Sequence, residues 1–227
     1  MIIRFEGFDN SIEVKAGLVS ELAVCNKTLF SRMVSSLLSE RGELALEPYR
    51  LFSETLDPVA SRGAFLVIES PFNLPWDNRQ IAGALYSIVE ARVFEEDEYR
   101  MELENQAESL RKSIGRFALS FQSDFRFDIE WDLKKFLKAF GYRIDLPEDA
   151  SLLDNVTQFF SLASDVEFRK PLVLVGFDNY FCENDLKVMY DQAVFLGIPL
   201  LVMQNEPSSL STRYLKKHII DQHFLES

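Results

Sequence analysis

The strand-to-helix turn Cys25-Asn26-Lys27-Thr28 is the first stretch whose residue types could do chemistry. A phosphate-binding P-loop sits at such a turn and ends in Gly-Lys-Ser/Thr, because its glycines let backbone N–H groups wrap the phosphates. Lys27-Thr28 keeps the final pair, but the two glycine positions hold Glu21 and Asn26. Asn tolerates the left-handed conformation, yet one Asn does not build the cradle. Asp178, after the apolar run Pro171–Phe177, has the place of a metal-binding carboxylate, although Gly176 interrupts the run ahead of it. A nucleotide-dependent kinase or ATPase using Lys27, Thr28 and Asp178 is the rival reading of the chain. The plain reading of this turn is a helix start with a solvent-facing lysine.

His218 and His223 lie five apart with no carboxylate cluster or cysteine pair nearby, which is too little for a zinc site or a catalytic triad. Cys25 reads as a small buried hydrophobe rather than a nucleophile. The acids Asp124, Asp128, Glu130 and Asp132 gather around a break between two helical stretches. Calcium favours several oxygens on a flexible turn; equally, acids at a helix N-terminus complement its dipole. Glu95–Glu98 reads as a solvated face. Basic residues cluster as Arg111, Lys112 and Arg116, then as Lys134, Lys135 and Lys138. Lys112/Arg116 and Lys134/Lys138 are i,i+4 pairs, each on one helix face. They suit a stripe for phosphates or simple charge balancing, and composition does not choose between the two.

The elements that must position these residues centre on a βαβ unit. Pro171–Phe177 (PLVLVGF) and Ile198–Met203 (IPLLVM) have the apolar texture of strands buried on both faces. Between them Leu186, Met189, Tyr190, Ala193, Val194 and Leu196 recur at helical spacing, with Gly197 at the C-cap. Upstream, Ile2–Phe5 and Ile12–Lys15 suggest a hairpin, and Val19–Val24 a strand. A helix bearing Leu29, Met33, Val34, Leu37 and Leu38 follows, stopped by Gly42. Short extended pieces are expected at Glu43–Leu46 and Arg50–Phe52, and a buried strand at Ala64–Ile68. Asp77 is placed to cap a helix through Val93. Leu110, Ile114, Phe117, Ala118 and Phe121 give another helical stripe, and Glu130–Phe140 a second helix. Tyr142–Leu146 reads as an edge strand, Ser151 with Asp154 as a capping box, Ser211–Lys217 as a helix and His218–Phe224 as a strand. The layout is an α/β head, residues 1–93 plus 142–227, with residues 94–141 inserted as a helical leg.

The chain has 227 residues, a formal charge of −12 and two cysteines. Such a charge opposes general attraction to nucleic acid or anionic membranes, but leaves room for a local basic surface. No apolar run approaches the roughly 20 residues of a membrane span, and the N-terminus lacks the layout of a signal peptide. A reducing, cytoplasmic location is the expectation.

The order of elements, the helical insertion, the stretch WDLKKFLKAFGYRID (Trp131–Asp145) and the βαβ unit that follows it resemble the ring-forming accessory proteins of type II-A CRISPR systems. The N-terminal strands and FLVIES fit the same layout, so the resemblance spans the chain. It implies a degenerate P-loop-kinase-like α/β head with an inserted helical leg. It also implies a homotetrameric ring that holds double-stranded DNA, entered through its ends, and works with other CRISPR adaptation proteins in spacer acquisition. Such a protein is a DNA clamp, not an enzyme, and touches no membrane. The DNA-binding role falls on Arg111, Lys112, Arg116, Lys134, Lys135 and Lys138. The resemblance further implies Ca2+, carried here to Asp124, Asp128, Glu130 and Asp132; the family's ligands continue into the second leg helix, where this chain has Lys134-Lys135.

Overall fold

Ile2–Phe5 (β1) pairs antiparallel with Ile12–Glu13 (β2), forming the expected hairpin. The computed structural model describes residues 1–123, 131–144 and 149–226. Its first unit is Met1–Pro75 with Leu146–Ser227, and its second is Trp76–Asp145.

In the first unit, Val19–Val24 (β3) leads into the helix Lys27–Ser39 (α1). The left-handed residue that ends α1 is Glu40, at φ 52°, and not Gly42. Gly42 instead begins a 3-10 turn, Gly42–Leu44, where an extended piece is expected; a Cβ at 42 would strike Ser61 Oγ. Tyr49–Phe52 (β4) pairs with β1 and with the short strand Pro58–Val59 (β5), completing a sheet of order β2-β1-β4-β5. The strand Leu66–Ile68 (β6) ends this half of the unit.

The second unit contributes Arg79–Glu95 (α2), Asp97–Ala118 (α3) and Leu133–Ala139 (α4). Its boundary lies at Trp76, ahead of the residue 94 expected from composition, because α2 packs on both α3 and α4. Asn78, not Asp77, caps α2: its Oδ1 accepts from Gln80 N at 2.9 Å. The acidic stretch after Phe94 is helical and opens α3. The helix expected from Glu130 starts at Leu133 within the described residues. Of Tyr142–Leu146, the described part carries no strand.

The chain returns to the first unit with Leu152–Asp165 (α5), whose capping box has Ser151 Oγ accepting from Asp154 N and Asp154 Oδ2 accepting from Ser151 N, both at 3.1 Å. Leu172–Val175 (β7), Glu183–Phe195 (α6) and Leu200–Gln204 (β8) form the βαβ unit, with β7 and β8 parallel. Gly197 takes φ 68°, and Ile198 N donates back to Ala193 O at 2.9 Å, the bond of a left-handed helix stop. Leu215–Ile220 (β9) stands where a helix followed by a strand is expected, since it pairs in parallel with β3 along its length.

The parallel sheet has order β6-β7-β8-β3-β9. Alternate residues face opposite sides. Leu22, Val24, Val173, Leu201 and Met203 join α1 and the antiparallel sheet in one core. The other parity, Val19, Ala23, Leu172, Leu174, Leu200 and Val202, is equally buried, beneath α5 and α6 with Phe159, Phe160 and Met189. No described helix is long and apolar enough to cross a membrane.

Candidate nucleic-acid interface

Charge is sorted along α3. From Asp97 to Glu108 five acids accompany Arg100 alone; from Ser109 to Ala118 there are Arg111, Lys112 and Arg116 and no acid. Lys112 Nζ pairs with Glu108 at 2.7 Å, which holds the Glu108 carboxyl below its ordinary range. Arg116 is exposed and makes no ion pair among the described residues. On α4, Lys134 Nζ reaches Glu90 of α2 at 2.8 Å, and Lys135 pairs with Asp132 at 3.3 Å. Lys138 is exposed and, among the described residues, without an ion pair. An exposed pair such as Lys112–Glu108 is worth little, so it yields to a phosphate at small cost, whereas Lys134 and Glu90 are half-buried.

An apolar stripe runs beside these cations. Leu103, Ala107, Leu110, Ile114, Phe117 and Phe121 follow spacings of four and three, the period of a packed helix seam. Ala107 is buried; Leu110, Ile114 and Phe117 are 54%, 47% and 70% exposed. Phe121 stacks edge-on against Phe117 at 5.9 Å between ring centres.

Of the acids considered for calcium, Asp124, Asp128 and Glu130 lie outside the described residues. Asp132 caps α4, its Oδ1 accepting from Lys135 N at 2.9 Å. That backbone N–H is the main reason its carboxyl sits below the usual range, with Lys135 adding to it. Among the described residues no three His, Cys, Asp or Glu side chains converge as metal ligands.

The Lys27-Thr28 turn is built as a helix cap. Asn26 has φ −82° and ψ 110°, an extended conformation, and its Oδ1 accepts from Leu29 N at 3.0 Å. The side chain thus fills the place where a loop of inward N–H groups would begin, and Lys27 and Thr28 are exposed. β8 lies between β3 and β7, which sets Asp178 and this turn about 10 Å apart at their strand ends. Burial pushes the Asp178 carboxyl up, and the charges of Glu21 and Glu206 push it further. His218 lies half-buried on β9 and His223 is exposed; Cys25 is half-buried and Cys182 exposed.

A fully buried Glu21 in the middle of β3 is the feature that sequence reasoning passed over. The signal was a charged residue inside a strand otherwise apolar but for Ser20.

The model of the CRISPR-associated protein family Cas_Csn2 matches residues 47–224. No curated protein matches the chain. Among solved structures the chain is similar to Stu0660 of Streptococcus thermophilus, with a TM-score of 0.57 at 12% identity, over 97% of this chain and 74% of that one. A nucleotide-free ATP-binding cassette from an ABC transporter gives a TM-score of 0.49 at 13% identity, over 99% and 90% of the two chains. The likeness to Stu0660 concerns the fold, an α/β body on a parallel sheet, while the family match covers most of the sequence. The chain belongs to the Cas_Csn2 family of CRISPR-associated proteins.

Proposed function

We propose that the protein is a non-enzymatic, sequence-independent clamp for duplex DNA, a ring of four copies that takes part in spacer acquisition with other CRISPR adaptation proteins. The observation that supports it is the C-terminal half of α3, where three cations follow one another with no acid among them, alongside exposed Leu110, Ile114 and Phe117. Cations so arranged suit phosphates, and an uncovered apolar stripe suits a second copy of the same helix. Lys134, Lys135 and Lys138 add to the DNA surface. Calcium is assigned to Asp124, Asp128, Glu130 and Asp132; Asp132 spends Oδ1 on its helix cap, so it offers the ion Oδ2, now paired with Lys135.

The test uses one plasmid, either relaxed and covalently closed or cut once, at matched salt and calcium. The ring reading expects retention of the cut form alone, abolished when bulky blocks cap both ends; equal retention of both forms refutes it. On short linear duplex, Arg116→Ala with Lys138→Ala is expected to weaken all sequences alike. It also flattens the dependence of log Kobs on log salt by about 0.9 for each phosphate that is no longer neutralised.

A further inference from the structure

The sheet face beneath α5 and α6 is apolar except at Glu21 of β3, Lys217 of β9 and the C-terminal end of β8. Glu21 is fully buried there, and its carboxylate accepts from Ser208 N at 2.9 Å and from Ser208 Oγ at 2.5 Å. Lys217, its Cα partner on β9, donates to the Ser208 carbonyl, and pairs with no carboxylate among the described residues. Further along the same face Gln204 is 0% exposed, and neither Oε1 nor Nε2 has a protein partner. Its neighbours across the strands take little room: Ala23 is its partner on β3, and Gly176, without a Cβ, follows Val175 on β7. Tyr190 reaches in from α6, 1% exposed, with its hydroxyl unpartnered, and so is Asp178 Oδ1. The turn that carries Asp178 follows Gly176 and packs on β8, and α6, which carries Tyr190, packs on β3, so these groups lie at one end of the sheet; burial chiefly, and then the charges of Glu21 and Asp178, hold the phenol protonated.

A buried amide or carboxylate left unpaired is costly, and native interiors satisfy such groups with protein, water or an ion. We propose that Gln204, Tyr190 and Asp178 form a buried site for a small monovalent cation of the alkali class, with Glu21 supplying charge beside it. The ligating atoms are hard oxygens: Asp178 Oδ1, Gln204 Oε1 and Tyr190 Oη. The valence follows from the ligands. A divalent ion wants several carboxylates or keeps much of its water, whereas among the described residues Asp178 alone offers a buried carboxylate oxygen without a partner, both Glu21 oxygens being held by Ser208. The location is the end of a parallel sheet at which α/β proteins bind their ligands.

The test melts the full chain without DNA in sodium, potassium or choline chloride at one ionic strength, choline being too bulky to enter. An ion at tenfold excess over its dissociation constant is expected to raise Tm by about 3–6 °C over choline. Gln204→Leu removes the ligand while placing apolar atoms where the amide was unpaired, so that variant folds, and its curves in the three salts are expected to coincide. Asp178→Asn is expected to reduce the shift. Coincident curves for the unaltered protein, as a site filled by water would give, overturn the proposal. A shift that survives Gln204→Leu also overturns it, because the ion then lies elsewhere.

Discussion

Phe117→Ser tests whether the α3 stripe is a contact between copies. The ring at 117 is 70% exposed, so the single chain gains little from it, and Phe121 is deprived of one edge-on partner. Burying a whole Phe side chain contributes about 1.5–3 kcal/mol, so covering the exposed share contributes about 1–2 kcal/mol per copy. A two-fold contact uses the residue twice, giving about 2–4 kcal/mol in all, or association weakened by about 30- to 1000-fold. Sedimentation equilibrium over a dilution series reads this directly, with circular dichroism at the highest dilution to show that the helix content is kept. If the dissociation midpoint moves less than threefold while the fold is intact, the stripe is ordinary surface and the proposed assembly must be built elsewhere.

Calcium is expected to raise the melting temperature and favour the larger species; an unchanged calcium response in Asp128→Ala/Glu130→Ala places the ligands elsewhere. His218 gives a pH signature. Burial first, and then Lys216, depress its imidazolium below the ordinary value of 6.5, so the unfolded chain binds the proton more readily. The stability it contributes is complete above about pH 6.5 and is lost as pH falls from there towards the depressed value. Urea unfolding through that window should show a slope that His218→Leu flattens; an equal slope in both proteins removes His218 as its source.

The parts of the fold legible in the sequence are those with strong local patterns. β7, and β8 as far as Met203, are buried and read as apolar runs, and Ser151 with Asp154 spells its own cap. The first half of β9 was not legible as strand, because Leu215-Lys216-Lys217 has no strand pattern and its register comes from pairing with β3; only His218–Ile220 fell in the strand expected at His218–Phe224. Nor could the sequence choose Asn78 over Asp77, both good caps, since chain geometry decides which carbonyl faces the free N–H groups. The six leg cations were legible as a cluster, but the acids that pair with Lys112, Lys134 and Lys135 were not all so. Glu108 is one turn from Lys112, yet Glu90 meets Lys134 across two helices. The environment of Glu21 was the least accessible, since the hydroxyl and N–H that hold it lie 187 residues away.

The sorting of charge along α3 bears on how so acidic a chain engages DNA. Acids at a helix N-terminus and cations at its C-terminus complement the macrodipole, but that effect fades within the first and last turns. Asp97 and Glu98 at one end and Arg116 at the other fall within its range. Glu102, Glu104 and Glu108 do not, and neither do Arg111 and Lys112, so the helix dipole leaves the middle of the pattern unexplained. A helix of 22 residues is about 33 Å long, several Debye lengths at physiological salt, about 8 Å each. Its two halves therefore present separate fields to a polyanion, one repelling and one attracting. Discrimination between them is local, and the net charge of −12 does not decide it. On this argument, moving Arg111 and Lys112 into the acidic half by exchange with Glu102 and Glu104 keeps composition and net charge, and is expected to abolish duplex binding. Binding that survives the exchange would mean that overall composition, and not the sorted α3 surface, governs the interaction.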